Sequence, residues 1–107
     1  PNMVSTFGYV NASWTLRSDI TAKWVCKVLN HMARTNTTSV VPYMPAEFEQ
    51  MEFQPWIADF PASYIKRVMH LFPKQAFMEP WLNSQDFRKD KRMFNEPLET
   101  DKSLKFT

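Results

Sequence analysis

The sequence predicts an α+β chain that is mostly helical with short strands, and three observations support this fold class. Apolar residues recur at every fourth position from Leu16 to Met32, as on one face of a long helix. Short runs of β-branched and aromatic residues, which favour strands, occur at residues 3–7, 39–42 and 103–106. The chain has 107 residues, 44% hydrophobic and 15% aromatic, enough for a modest core in one domain at most.

A strand, a turn and a long helix are predicted at the start of the chain. Residues 3–7 are typical of a buried strand that ends at Gly8, the only glycine. Ser13 or Thr15 is suited to cap the helix, because a hydroxyl oxygen accepts hydrogen bonds from unpaired N–H groups of the first turn. Asn36 is suited to end the helix, since asparagine tolerates the left-handed conformation common there.

Cys26 and His31 are the two residues of this helix that could have a reactive or pH-responsive side chain. Cys26 is expected to be a small buried hydrophobe. His31 is expected to be a partly exposed residue near the helix end, and a pH-responsive role is the alternative. A single cysteine cannot form an internal disulfide, which favours a reducing, cytoplasmic compartment.

Prolines divide the second part of the chain into short elements. Seven of the eight prolines lie from Pro42 to Pro97, and each limits a helix or a central strand. The pattern predicts an edge strand at residues 39–42, a loop at 45–61 with one helical turn near 46–50, helices at 63–71 and 81–94, and a terminal strand at 103–106.

Composition and spacing exclude several kinds of site. One glycine excludes a self-contained P-loop or dinucleotide fingerprint, because both need several glycines to bring the backbone within reach of phosphates. Cys26, His31 and His70 match no zinc-ligand spacing, and the G-x-S-x-G of many hydrolases is absent. Charged residues interrupt the longest apolar window, so no transmembrane segment is predicted.

The net charge is only +2, but the chain contains one dense basic cluster at residues 88–92. Residues 86–105 carry six basic and five acidic side chains, so a long phosphate backbone would meet alternating signs. We therefore expect a solvated helix face there and no nucleic-acid partner. The basic side chains at residues 66–74 are likewise expected to point to water rather than to line an anion pocket.

The turn around Gly8 is the one constellation that suggests chemistry. A helix N-terminus presents unpaired N–H groups and the positive end of a dipole, which stabilise an anion or an electron-rich carbonyl. Asn11, Ser13 and Thr15 add polar groups of the kind that hold the sugar or ring oxygens of a cofactor. The alternative is an ordinary core connection between a strand and a helix.

The residues around this turn also resemble a known family. Residues 2–4 and the run from Gly8 to Asp19, GYVNASWTLRSD, resemble the end of the FAD-binding domain in flavin-containing monooxygenases of the Baeyer–Villiger type. The similarity continues through residues 25–32, 64–67, 73–75, 80–81 and Gln85, nearest to the subgroup that activates thioamide prodrugs.

The resemblance implies a C-terminal piece of a larger enzyme, inactive alone, whose glycine-rich FAD and NADPH fingerprints lie upstream. Residues 1–36 would be the terminal strand, turn and helix of a Rossmann-like FAD-binding domain, and residues 37–107 a C-terminal extension packed on the missing domains. The enzyme would insert one oxygen atom from O2 into a ketone, thioether or amine. Its cofactor-binding residues here would be Gly8, Tyr9, Asn11, Ser13, Trp14, Thr15 and Leu16, with no metal.

In that enzyme, the backbone N–H groups near Thr15 and Leu16 would stabilise negative charge on the flavin ring. Tyr9, Asn11 and Trp14 would border the cofactor or substrate cavity. A free-standing helical interaction module without catalysis is the alternative function, in which the amphipathic helix docks on a partner protein.

Overall fold

A computed structural model describes residues 1–57 and 60–107 of the protein. The chain forms two compact units, one of Pro1–Glu49 with Gln85–Thr107 and one of Gln50–Ser84. The helices and strands are, in chain order, α1 (Trp14–Thr35), β1 (Val40–Pro42), β2 (Gln54–Pro55), α2 (Ser63–Val68), β3 (Lys74–Gln75), α3 (Phe87–Asn95) and β4 (Leu104–Phe106). The predicted α+β class with short strands is confirmed.

Helix α1 begins and ends where the sequence predicts. The hydroxyl oxygen of Ser13 accepts a hydrogen bond from the N–H of Thr15, which caps the first turn. Asn36 adopts the left-handed conformation with φ of 53°, and its N–H donates to the carbonyl of Met32. The helix is 22 residues long, so it is the main scaffold of the first unit.

The core of the first unit lies between α1 and the end of the chain. Val28 and Met32 are buried with Leu98, which follows α3. Strand β4 pairs antiparallel with β1, with Val40 opposite Phe106. The side chains that pack against the buried cluster are those of Trp24, Val40, Leu104 and Phe106. The predicted edge strand and terminal strand are therefore confirmed, and they pair with each other.

Helix α3 starts later than the sequence predicts. It begins at Phe87 rather than at residue 81, because Asp86 is its N-cap and Gln85 has a positive φ of 52°. The carboxylate of Asp86 accepts hydrogen bonds from the N–H groups of Arg88 and Lys89. These bonds hold the pKa of Asp86 below its usual value. The local cap thus overrides the helical periodicity of residues 81–85.

Three further predictions for the first unit are wrong. Residues 3–7 form no strand, because a strand needs a hydrogen-bonded neighbour and this segment has none among the described strands. Cys26 is exposed, since it lies on the side of α1 opposite to Val28 and Met32. His31 is buried, because its ring packs 4.6 Å from that of Phe106, centroid to centroid.

The second unit has little apolar core and is held together by amide side chains. Strands β2 and β3 pair antiparallel, with Gln54 opposite Gln75. The buried Gln75 side chain donates to the carbonyl of Pro55 and accepts from the N–H of Asn83. The predicted helix at residues 63–71 is confirmed as α2 followed by a 3₁₀ turn, Met69–Leu71.

The predicted loop at residues 45–61 contains more structure than expected. Its helical turn is confirmed as a 3₁₀ turn at Ala46–Phe48, and strand β2 lies further along it. Residues 58 and 59 of this loop lie outside the described residues. The Rossmann-like origin of residues 1–36 stays a prediction.

Candidate functional site

The candidate site is the segment of residues 8–16, which leads into α1. Gly8 and Tyr9 at its start are buried, whereas residues 10–16 are all exposed. The exposed residues include Asn11, Ser13 and Thr15, the polar residues predicted from the sequence. Trp14 is 53% exposed. The structure therefore brings the seven predicted cofactor-binding residues together on one connection. Their role toward a cofactor stays a prediction.

Gly8 is required by close packing rather than by an unusual backbone conformation. Its φ is not positive, so a turn in the left-handed region is not what selects glycine. A Cβ atom placed on Gly8 would lie 2.2 Å from Cγ of Trp14, well inside van der Waals contact. The Trp14 indole also lies 4.7 Å from the ring of Phe7, centroid to centroid. Gly8 thus lets Trp14 fold back over the chain that precedes it.

A buried cluster of charged and polar side chains lies directly behind this segment. Asp90 of α3 is only 1% exposed, and one of its carboxylate oxygens accepts a hydrogen bond of 2.6 Å from the hydroxyl of Tyr9. The same oxygen forms an ion pair with the guanidinium of Arg17, on the first turn of α1. The Arg17 guanidinium also lies over the rings of Tyr9 and Phe94. Burial, followed by the hydrogen bond to Asp90, raises the pKa of Tyr9 to about 12.

The first N–H groups of α1 already have acceptors inside the chain. The Thr15 N–H donates to the Ser13 hydroxyl at 3.3 Å, and the Leu16 N–H donates to the Ser13 carbonyl at 3.2 Å. A ligand that took hydrogen bonds from these two groups would have to replace those contacts. The positive end of the helix dipole is independent of this exchange and still favours negative charge nearby.

Sequence reasoning missed the residues that support this segment. Asp90 is a lone acid among four basic side chains at residues 88–92, and no pattern distinguishes it from a residue in a solvated ion pair. The four basic neighbours are exposed, as expected. A second support joins the N–H of Val10 to the side-chain oxygen of Gln85 at 2.8 Å. Gln85 has a positive φ, which helps to set the direction of its side chain, and no pattern in the sequence predicts this conformation.

The side chain of His31 is buried and has a packing role in the first unit. Its Nδ1 lies 3.5 Å from a carboxylate oxygen of Glu99, and its ring packs on Phe106. Arg34 also pairs with Glu99, at 3.3 Å. These contacts tie the C-terminal end of α1 to the turn after α3, far along the helix from residues 8–16.

Two classes of site have no representative among residues 1–57 and 60–107. No group of three or more His, Cys, Asp or Glu side chains comes together in a way that could hold a metal ion. Within the same residues, no helix is both long and apolar enough to cross a membrane.

The chain is similar over its whole length to proteins named as FAD-containing monooxygenases. It is 37% identical to FAD-containing monooxygenase EthA of Mycolicibacterium smegmatis over 107 residues, 100% of this chain and 21% of that protein. EthA of Mycobacterium tuberculosis is 35% identical over 106 residues, 99% of this chain and 21% of the relative. AlmA of an Acinetobacter species, named a probable FAD-binding monooxygenase, is 32% identical over 106 residues, with shares of 99% and 21%.

The whole chain is therefore similar to one part of proteins named as FAD-containing monooxygenases. The family resemblance predicted from residues 8–19 is thereby confirmed, and FAD is the cofactor that the relatives' names give. The chain spans about a fifth of the length of the curated relatives that it matches, 21% in each case. No family model matches the chain, and no solved structure does.

Proposed function

We propose that the chain is the C-terminal part of an FAD- and NADPH-dependent monooxygenase of the Baeyer–Villiger type. The full protein inserts one oxygen atom from O2 into a ketone, thioether or amine, and it acts in the cytoplasm. Residues 1–36 complete a Rossmann-like FAD-binding domain, and residues 37–107 are an extension that packs on the remaining domains. The observation that carries this proposal is the end-to-end similarity to three named monooxygenases.

The residues of the candidate site fit the edge of a flavin site and not its phosphate end. Asn11, Ser13 and Thr15 are exposed and supply an amide and two hydroxyls, which suit ring carbonyls and ring nitrogens. One glycine cannot build the phosphate-binding loops, so these belong to sequence outside this chain. When bound, FAD supplies the redox chemistry that activates O2.

Within this proposal, the chain contributes electrostatics and placement. The start of α1 would place its positive dipole end near the flavin, where it would stabilise developing negative charge. The half-exposed indole of Trp14, fixed over Gly8, would cover one side of the bound flavin and keep water from it. Tyr9 is only 1% exposed as a whole residue, so it supports the site from behind and does not line it.

Exposed apolar surface supports the proposal that more protein packs on the first unit. Opposite the buried side of α1 lies an uncharged face with the spacing of one helix side, made by Ser18, Ala22, Cys26, Leu29 and Ala33. All five residues are exposed, and Leu29 is 59% exposed. A helix face of this kind is usually covered by a neighbouring layer. We assign that layer to the rest of the FAD-binding domain.

The second unit also exposes large apolar side chains for its size. Those of α2 and the segments beside it are Phe53, Tyr64, Val68, Leu71, Phe77 and Met78. Leu71 is 74% exposed, which a short unit with few buried residues does not tolerate well in water. The missing domains of the enzyme are the proposed cover for this surface as well.

The proposal is tested by the reaction of the full-length protein. Purified protein is supplied with NADPH, O2 and a simple thioether, and the product is followed by mass spectrometry with ¹⁸O2. The expected result is NADPH consumption that depends on the protein and a product that carries one ¹⁸O atom. Absence of label from the products of a panel of ketones, thioethers and amines would sink the proposed activity.

A further inference from the structure

Asp90 is the most deeply buried acid of the described residues, and two of its side-chain contacts lead to one segment. Its side chain accepts the Tyr9 hydroxyl and pairs with the Arg17 guanidinium through the same oxygen, Oδ2. Tyr9 lies near the start of residues 8–16 and Arg17 lies directly after their end. One carboxylate on α3 therefore holds both ends of the candidate site.

The other contacts of α3 reinforce this arrangement. The Tyr9 ring packs edge-on against Phe87, with 6.3 Å between the centroids. The Val10 N–H donates to Gln85, the residue before the N-cap of α3. Residues 9 and 10 thus have three links to the start of α3, whereas the side chains of residues 11–16 remain exposed. Residues 8–16 are therefore held by contacts with α3 at their start, and the side chains that follow face solvent.

The support that Asp90 gives to residues 8–16 is sensitive to the loss of a partner, because the Asp90 carboxylate is buried. A carboxylate that is 1% exposed costs free energy unless it is paired, and here both Tyr9 and Arg17 pair with it. We expect removal of either partner to let the segment shift, and a shift of about 1 Å is enough to impair a positioned contact. Asp90 itself is buried and does not lie on the exposed side of the segment.

We propose that Asp90 is a positioning residue, which acts through Tyr9 and Arg17 to set residues 8–16 at the geometry that the flavin ring requires. This inference rests on the proposed function, because it assumes that the segment borders FAD. It predicts that substitutions in the cluster of Tyr9, Arg17 and Asp90 alter the affinity and environment of the bound flavin more than the stability of the fold.

The test uses the full-length holoprotein and three substitutions. Tyr9→Phe removes only the hydroxyl and leaves the Asp90–Arg17 ion pair, whereas Asp90→Asn removes the charge. Tyr43→Phe is the matched control, because Tyr43 is 49% exposed and lies outside the cluster. The dissociation constant of FAD, the visible circular dichroism of the bound flavin at saturating FAD, and the melting temperature are measured for each.

We expect Tyr9→Phe and Asp90→Asn to weaken FAD binding about tenfold, by analogy with the loss of an outer contact behind a metal ligand. We also expect an altered dichroism band at saturating FAD, which a purely structural role would leave unchanged. Tyr43→Phe should match the wild type in both. If Asp90→Asn does not fold, Tyr9→Phe decides the question.

Two results separate the inference from the proposed function. If the wild type binds FAD and Tyr9→Phe leaves both the affinity and the dichroism unchanged, the positioning role is overturned and the proposed function stands. If the wild-type protein binds no FAD, both fall together.

Discussion

At the scale of single residues, the contact between Gly8 and Trp14 decides the shape of the candidate site. A methyl group on Gly8 would overlap the indole, so Gly8→Ala should lower the free energy of unfolding of the full-length protein by about 1–3 kcal/mol. In a Trp14→Ala background the same change should cost less than about 1 kcal/mol, because the obstacle is gone. Urea denaturation of the four proteins in this cycle measures the coupling. Equal costs in both backgrounds would show that the two residues do not touch.

The buried hydroxyl of Tyr9 gives a second prediction at this scale. The pKa of Tyr9 is about 12 in the folded state against 10.0 for an ordinary tyrosine, so the unfolded state loses the proton first. Stability that is present below about pH 10 is therefore lost as the pH rises toward 12. Tyr9→Phe should reduce this alkaline loss of the free energy of unfolding, and Tyr43→Phe serves as the control. Identical alkaline profiles for wild type and Tyr9→Phe would contradict the raised pKa.

At the scale of elements, the end of the chain is held on α1 by one apolar cluster. Leu98 is 5% exposed and packs with Val28 and Met32. Leu98→Ala should destabilise the full-length protein by about 2–5 kcal/mol, because it leaves a cavity. Lys105→Ala on the exposed side of β4 is the control and should cost little. A cost below about 1 kcal/mol for Leu98→Ala would mean that this cluster does not anchor the terminal strand.

Elements with strong local signals were predictable from the sequence. The four-residue apolar period, the hydroxyl of Ser13 and the asparagine at position 36 specify α1 and both of its ends. The pairing of β1 with β4 was not predictable, because two short runs 62 positions apart carry no signal of partnership beyond their β-propensity.

The location of the candidate site comes from the sequence and stays a prediction, whereas the contacts that support residues 8–16 were not predictable. Gly8 and the polar residues after it mark a connection to a helix start, and the family resemblance adds the cofactor. The link from Tyr9 to Asp90 crosses 81 positions, and an acid within a basic run is expected to face water. Asp90 is instead buried by tertiary packing, and no local sequence pattern predicts this burial.

At the scale of the whole molecule, the uncharged outer face of α1 gives a direct test of what covers it. Cys26 lies on this face and is exposed in the 107-residue chain. We expect a thiol reagent to label Cys26 readily in that chain and slowly in the native full-length protein, with labelling mapped by peptide mass. Denatured full-length protein is the control for reactivity. Equal rates in the two native samples would mean that the face stays open.

The central claim is that this chain completes a flavin site whose phosphate-binding glycines lie elsewhere in the protein. The visible absorption spectrum of the purified full-length protein, compared with that of the 107-residue chain after incubation with FAD and gel filtration, tests it most directly. The account predicts a yellow full-length protein with close to one FAD per chain and a colourless 107-residue chain. A full-length protein that is folded, remains colourless and takes up no added FAD would contradict it.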